Sequence, residues 1–201
     1  MRLHSAPMSG NGYKVRLLLG LLGTECEVVD YDTKGGKTHT PKFLRDVNPD
    51  GKVPVLELDD GNMLQESGAI LFYLAEGTFY LPEEKLGRAQ VLRWMFFEQY
   101  SLLLYLSRPR LWRMWDVEMT DHKKAELDDI FEQGYRALGV MERHLDDHEF
   151  FVGDIPTAAD VTLYTYPRVC HEGGYDLESF PALRGWMGRI EALPGYVPPP
   201  G

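Results

Sequence analysis

Three short stretches of this chain place hydroxyl, amide and carboxylate groups at spacings that suit an anionic, peptide-like ligand. The first is Ser9-Gly10-Asn11-Gly12-Tyr13-Lys14, between a short strand-like run and an amphipathic one. A helix starting here offers unpaired N–H groups and the positive end of its dipole. Ser9 and Asn11 can each add a hydrogen bond to an anion held there. Helix capping alone also explains Ser and Asn at such positions. The second is Asn48-Pro49-Asp50-Gly51-Lys52-Val53-Pro54-Val55. About one X–Pro bond in twenty is cis in folded proteins. A cis bond at Val53-Pro54 would turn the Val53 N–H and C=O outward, where an extended peptide can pair with them. An ordinary trans turn is the alternative. The third is Gln65-Glu66-Ser67-Gly68. Ser67 at a helix N-terminus suits a carboxylate and Glu66 an ammonium, together a clamp for an amino-acid head group. A cap with a first-turn acid is the alternative. A fourth stretch, Gly153–Val161, has Thr157 and Asp160 at capping-box spacing, with Asp in place of the usual Glu or Gln. That pattern reads as a folding element of a core helix.

The elements around these stretches change character near Gly77–Glu84. Before it, Arg2–Ser5, Glu27–Tyr31, Val55–Leu58 and Met63–Leu64 predict strands, and Asp59–Asn62 a hairpin turn. Helices are expected over Tyr13–Leu22, closed by Gly23, over Pro41–Val47 and over Glu66–Glu76. After it, helices are expected over Leu86–Leu111, Asp121–Leu145, Thr157–Val169 and Phe180–Leu193. The expected domains are residues 1–82, mixed α/β, and 83–201, all helix, with Pro198–Gly201 a frayed tail.

Bulk properties narrow the function further. The 201 residues carry 21 basic and 31 acidic side chains, a net charge of −10, which disfavours nucleic acid and anionic membranes as partners. No apolar run approaches the roughly 18 residues of a membrane span. Cys26 and Cys170 form no CxxC pair, so no metal site is expected. With no export signal, both are taken as reduced thiols of a cytoplasmic protein.

Together these pieces resemble the cytosolic glutathione transferases over essentially the whole chain, in the bacterial serine-type or nu-like classes. The resemblance rests on Asn48–Leu58 with Val53-Pro54, on Glu66-Ser67, on Gly153–Asp160 and on Leu193-Pro194-Gly195, in that order. It implies a thioredoxin-like α/β domain followed by an all-α domain, with the Val53-Pro54 bond cis. It implies glutathione as co-substrate and no metal. Ser9 is similar to the catalytic serine whose hydroxyl stabilises the glutathione thiolate, while Ser-Gly-Asn also resembles nu-class proteins that reduce disulfides, so Ser9, Asn11 or both carry that role. Tyr13 is expected inside the helix, away from the sulfur. Val53 with Pro54 would pair with the cysteinyl part, Glu66 and Ser67 would hold the γ-glutamyl group, and Lys52 with His39 would face the glycyl carboxylate. Tyr105, Arg108, Leu111, Trp112 and Trp115 would line a pocket between the domains for a small hydrophobic electrophile. The alternative is that these tryptophans pack core or dimer contacts. A homodimer is implied, and the activity expected is conjugation that serves detoxification. Disulfide or peroxide reduction, or non-catalytic binding on the same fold, stay open.

Overall fold

The computed structural model describes residues 1–199. The chain separates into two units, one of residues Met1–Thr78 joined by the tail from Leu193 onward, the other Phe79–Ala192.

The first unit runs β1 (Arg2–Ser5), α1 (Gly10–Leu21), β2 (Glu27–Asp30), a 3-10 turn (Lys37–His39), α2 (Pro41–Asp46), β3 (Val55–Glu57), β4 (Met63–Gln65) and α3 (Ser67–Ala75). The sheet order is β2-β1-β3-β4. β1 and β2 are parallel, while β1–β3 and β3–β4 are antiparallel. Side chains alternate along β1, which sorts its residues by face. Leu3 packs with Leu56, Val15, Leu19 and Ile70, the core beneath α1 and α3. Each such buried side chain contributes about 1.5–3 kcal/mol. His4 points the other way, with Nδ1 2.9 Å from the Tyr31 hydroxyl and Nε2 3.0 Å from Glu57. Tyr31 in turn meets Phe43 of α2 edge-on.

The second unit is helical: α4 (Lys85–Phe97), one π-helical turn (Glu98–Leu102), α5 (Leu103–Met114), α6 (Asp121–Leu145), α7 (Ala158–Gly173) and α8 (Pro181–Glu191). The single long helix expected over Leu86–Leu111 is therefore interrupted by a wider turn, within which Glu98 and Leu102 are buried. α7 is buried along nearly its whole length. Its start has the expected capping box: Asp160 accepts from the Thr157 N–H at 2.8 Å, and the Thr157 hydroxyl accepts from the Ala159 N–H at 3.3 Å. Asp160 also accepts from the Phe151 N–H at 3.1 Å and the Trp186 indole at 3.0 Å, so one carboxylate fastens α7, α8 and the preceding loop.

The boundaries differ from those expected at 82 and 201, for identifiable reasons. The Tyr80 carbonyl accepts from the Ala158 N–H at 2.8 Å, which ties the segment after Thr78 to α7. The segment leading to the tail packs on the first unit: the Val197 carbonyl accepts from the Tyr13 hydroxyl at 2.9 Å. Gly20 gives the tail room, since a Cβ there would strike Val197 and the Gly195 carbonyl. Pro200 and Gly201 lie outside the described residues.

Candidate functional site

Strand register decides which motifs meet. Val55 pairs with Gln65 across β3–β4, and His4 pairs with Val55 across β1–β3. The start of β3, the end of β4 and the end of β1 therefore lie at one end of the sheet. Val53-Pro54 precedes β3, Glu66-Ser67 follows β4, and Ser9 follows β1, so all three stretches are delivered to that end.

Ser9 is the N-cap of α1, which begins at Gly10, earlier than expected. Its Oγ accepts from the Gly12 N–H at 3.0 Å, which leaves the hydroxyl proton for an outside acceptor. Gly12 is required there: a Cβ would strike Ser5 Oγ, which is buried without a hydrogen-bond partner beneath the first turn. Asn11 occupies the same turn, and its Oδ1 accepts from Lys14 Nζ at 2.8 Å. Tyr13 faces away from this end, with its hydroxyl on the tail.

The Val53-Pro54 peptide is cis. The loop before it is organised by buried Asn48, whose amide donates to the Lys52 carbonyl at 2.9 Å and whose Oδ1 accepts from the Asp50 N–H at 3.0 Å. Gly51 has φ 66°, and a Cβ on it would strike the His39 ring. The His39 ring thus lies against Gly51, the residue before Lys52. Glu66 has φ 69° and ψ 117°, a backbone state non-glycine residues rarely hold, at a cost on the order of 1–3 kcal/mol. It is exposed, and it is followed by buried Ser67 as the first residue of α3. Two helix N-termini, an outward strand edge and a strained acidic residue suit a short anionic peptide with a free amino-acid end.

The residues expected to meet an electrophile recur at three- and four-residue spacing along α5: Tyr105, Arg108 and Trp112, with Trp115 at its C-cap. Tyr105, Leu111 and Trp112 are half-buried and Trp115 is exposed. Arg108 pairs with Glu126 of α6. Both cysteines are free, Cys170 buried and Cys26 half-buried. Burial pushes the Cys170 thiol up to about 12 and raises that of Cys26. Among the described residues no cluster of His, Cys, Asp and Glu could hold a metal, and no helix is long and apolar enough to cross a membrane.

Two contributors escaped the sequence reading. Asn48 was legible as an Asx turn, because Asn-Pro-Asp-Gly is a strong turn sequence. Lys14 gave no signal, since a lysine is almost never fully buried, yet here it is.

Family models agree with this architecture. The glutathione S-transferase N-terminal domain matches residues 1–76 and the C-terminal domain matches residues 93–194. The chain is 29% identical to the disulfide-bond oxidoreductase YfcG of Escherichia coli, over 96% of this chain and 90% of that protein. A glutathione S-transferase structure from Pseudomonas fluorescens superposes with TM-score 0.93 at 42% identity, covering 98% of this chain and 97% of that one. A glutathione transferase from Burkholderia graminis, with two glutathione molecules bound per subunit, superposes with TM-score 0.84 at 26% identity, covering 96% and 84%.

Proposed function

The chain belongs to the glutathione S-transferase family, and on that premise we propose that it binds glutathione at the shared end of β1, β3 and β4 and uses the sulfur as a nucleophile. The observation that carries this is the strand register that sets the Val53 edge before β3 beside the strained Glu66 and the N-terminus of α3. The Val53 backbone pairs with the cysteinyl residue. Ser67 and the first α3 amides hold the γ-glutamyl carboxylate, and Glu66 its ammonium. Lys52 and His39 face the glycyl carboxylate. The likeness to a glutathione-bound transferase supports this ligand.

At the N-terminus of α1, Ser9 donates to the sulfur and Asn11 adds a second donor. Both stabilise thiolate over thiol, whose ordinary pKa is about 8.5. The thiol proton passes to solvent. The thiolate attacks an electrophilic carbon of a small apolar compound, a C–S bond forms, and the leaving group departs with its electron pair. Tyr105, Arg108, Trp112 and Trp115 receive that compound. A second reading is favoured by Asn11 and by the likeness to a disulfide-bond oxidoreductase. There the thiolate attacks a disulfide sulfur, forming a mixed disulfide and releasing the other thiolate. The protein works in the cytoplasm, as a homodimer.

The test is capture on immobilised glutathione followed by turnover of a halo-nitroarene and of a small disulfide. Conjugation with no disulfide reduction supports the first reading, and the reverse supports the second. Capture without either turnover leaves a binding protein, and loss of capture removes the proposal.

A further inference from the structure

Ser5 ends β1 on the same face as Leu3, so its side chain stands beneath α1. It is fully buried, and among the described residues its Oγ has no hydrogen-bond partner. Its backbone carbonyl is paired, accepting from the Tyr31 N–H at 2.8 Å. A buried hydroxyl without a partner opposes folding, and most buried polar atoms have one. Close packing does not call for it: an alanine would let α1 approach as near and strand nothing.

The nearest groups give the hydroxyl a use. A Cβ on Gly12 would meet Ser5 Oγ at 2.2 Å and Ser9 Oγ at 3.4 Å. The two hydroxyls thus converge on the space that Gly12 leaves open at the first turn of α1. Ser9 is fixed there, because its N–H donates to the Ala6 carbonyl at 3.0 Å and its carbonyl accepts from the Tyr13 N–H at 2.9 Å. A hydroxyl oxygen accepts through two lone pairs. The Gly12 N–H takes one on Ser9, which leaves the second for another donor. An oxygen that gives its own proton to an anion becomes a stronger acceptor, since hydrogen bonds in a chain polarise one another.

Resting on the glutathione site proposed above, we infer that Ser5 is a positioning residue whose buried hydroxyl donates to Ser9 Oγ when Ser9 donates to the glutathione thiolate. Ser5 does not touch the peptide in this scheme. A turn of its side chain between staggered positions closes the chain from Ser5 through Ser9 to sulfur. No covalent bond changes, and each proton stays on its own oxygen. The second hydroxyl strengthens the hold of the first on the thiolate and so lowers the pKa of the bound thiol.

The measurement is the thiolate absorbance of the glutathione complex across a pH titration. Melting of the free protein and affinity for S-methylglutathione, which has no thiol, are read in parallel. Ser5→Ala should raise the titration midpoint by about half a pH unit, roughly a threefold loss of thiolate at fixed pH below the midpoint, because cooperative strengthening is a fraction of the bond it acts on. The free variant should melt no earlier than the parent, since the hydroxyl it loses has no partner there, and S-methylglutathione should bind unchanged. Ser9→Ala should raise the midpoint further, and adding Ser5→Ala to it should change nothing more. A parental midpoint in Ser5→Ala overturns the inference. So does a Ser5→Ala protein that melts earlier or fails to fold, because the hydroxyl then holds the fold instead of Ser9. A midpoint that Ser9→Ala leaves in place, or a Ser5→Ala shift that persists in full beside Ser9→Ala, overturns it as well. If the unaltered protein binds neither glutathione nor S-methylglutathione, the glutathione site itself fails and the inference goes with it.

Discussion

Ser9 combines two duties in one oxygen, since it caps α1 through the Gly12 N–H and can donate to a bound sulfur. The two duties separate by measurement. Ser9→Ala should lower stability by about 0.5–2 kcal/mol as a lost cap. It should also raise the pKa of bound glutathione, because a charge-assisted hydrogen bond contributes about 1.5–3 kcal/mol, or roughly 1–2 pH units. Ser9→Gly should recover most of the stability and none of the thiol shift, which melting and thiolate absorbance will read independently. Glu57 carries a different pH dependence. A hydrogen bond from His4, with Arg2 beside it, holds its carboxyl below the usual glutamate range. A carboxyl whose pKa is lowered on folding binds fewer protons in the native state. Its stabilisation is present above the unfolded value, about 4.3, and is lost as pH falls through the folded one. Glu57→Gln should therefore flatten the acid limb of stability against pH, between roughly pH 5 and the folded value, while leaving its shape near neutrality alone. An acid limb equally steep in both proteins would remove Glu57 from that account.

At the scale of elements, α7 depends on Asp160. That carboxylate accepts from the Thr157 and Phe151 amides and from the Trp186 indole inside the core. Burial pushes its pKa up, and the hydrogen bonds it accepts work against that push. Asp160→Ala would strand four buried donors, the Thr157 hydroxyl being the fourth, at about 1–3 kcal/mol each, before any relaxation. Thr157→Ala loses a cap and costs about 0.5–2 kcal/mol. Both variants should melt earlier, Asp160→Ala by far the more, while any folded fraction keeps its glutathione affinity. A variant that melts normally but loses glutathione would reassign the motif. This motif was legible in sequence because its bonds are local, within three residues. So were the strands Arg2–Ser5 and Val55–Glu57 and the helix Asp121–Leu145, whose apolar periods are regular. The π turn at Glu98–Leu102 was not, because one extra residue per turn leaves the pattern of apolar side chains on both flanks intact. Within the site, the Ser9, Val53 and Glu66 stretches were visible as types and spacings. Their meeting was not, since that follows from the pairing of Val55 with both His4 and Gln65.

At the scale of the whole molecule, Phe96, Tyr100 and Leu104 stand exposed at 68%, 80% and 44%, four residues apart along α4, the π turn and α5. A face of this kind suits a second copy of the chain, as proposed for the homodimer. Sedimentation at micromolar concentration should give twice the chain mass, and Tyr100→Glu should shift the boundary toward the monomer. A parent that already sediments at the 23.0 kDa chain mass would sink the dimer. A different consequence follows from the tail that returns to α1 through Tyr13 and Gly20. In the cell the chain is made from its N-terminus, at about 5–20 residues per second. Thr78 leaves the ribosome well before Val197, and the whole Phe79–Ala192 unit is synthesised between them. The surface of α1 that Val197 will cover is therefore bare throughout that interval. The first unit must persist, or wait on a chaperone, without a piece of its own packing. A nascent chain stalled just short of Leu193 should be cut by protease within α1 faster than one stalled well beyond Pro199, with the first eighty residues identical in both.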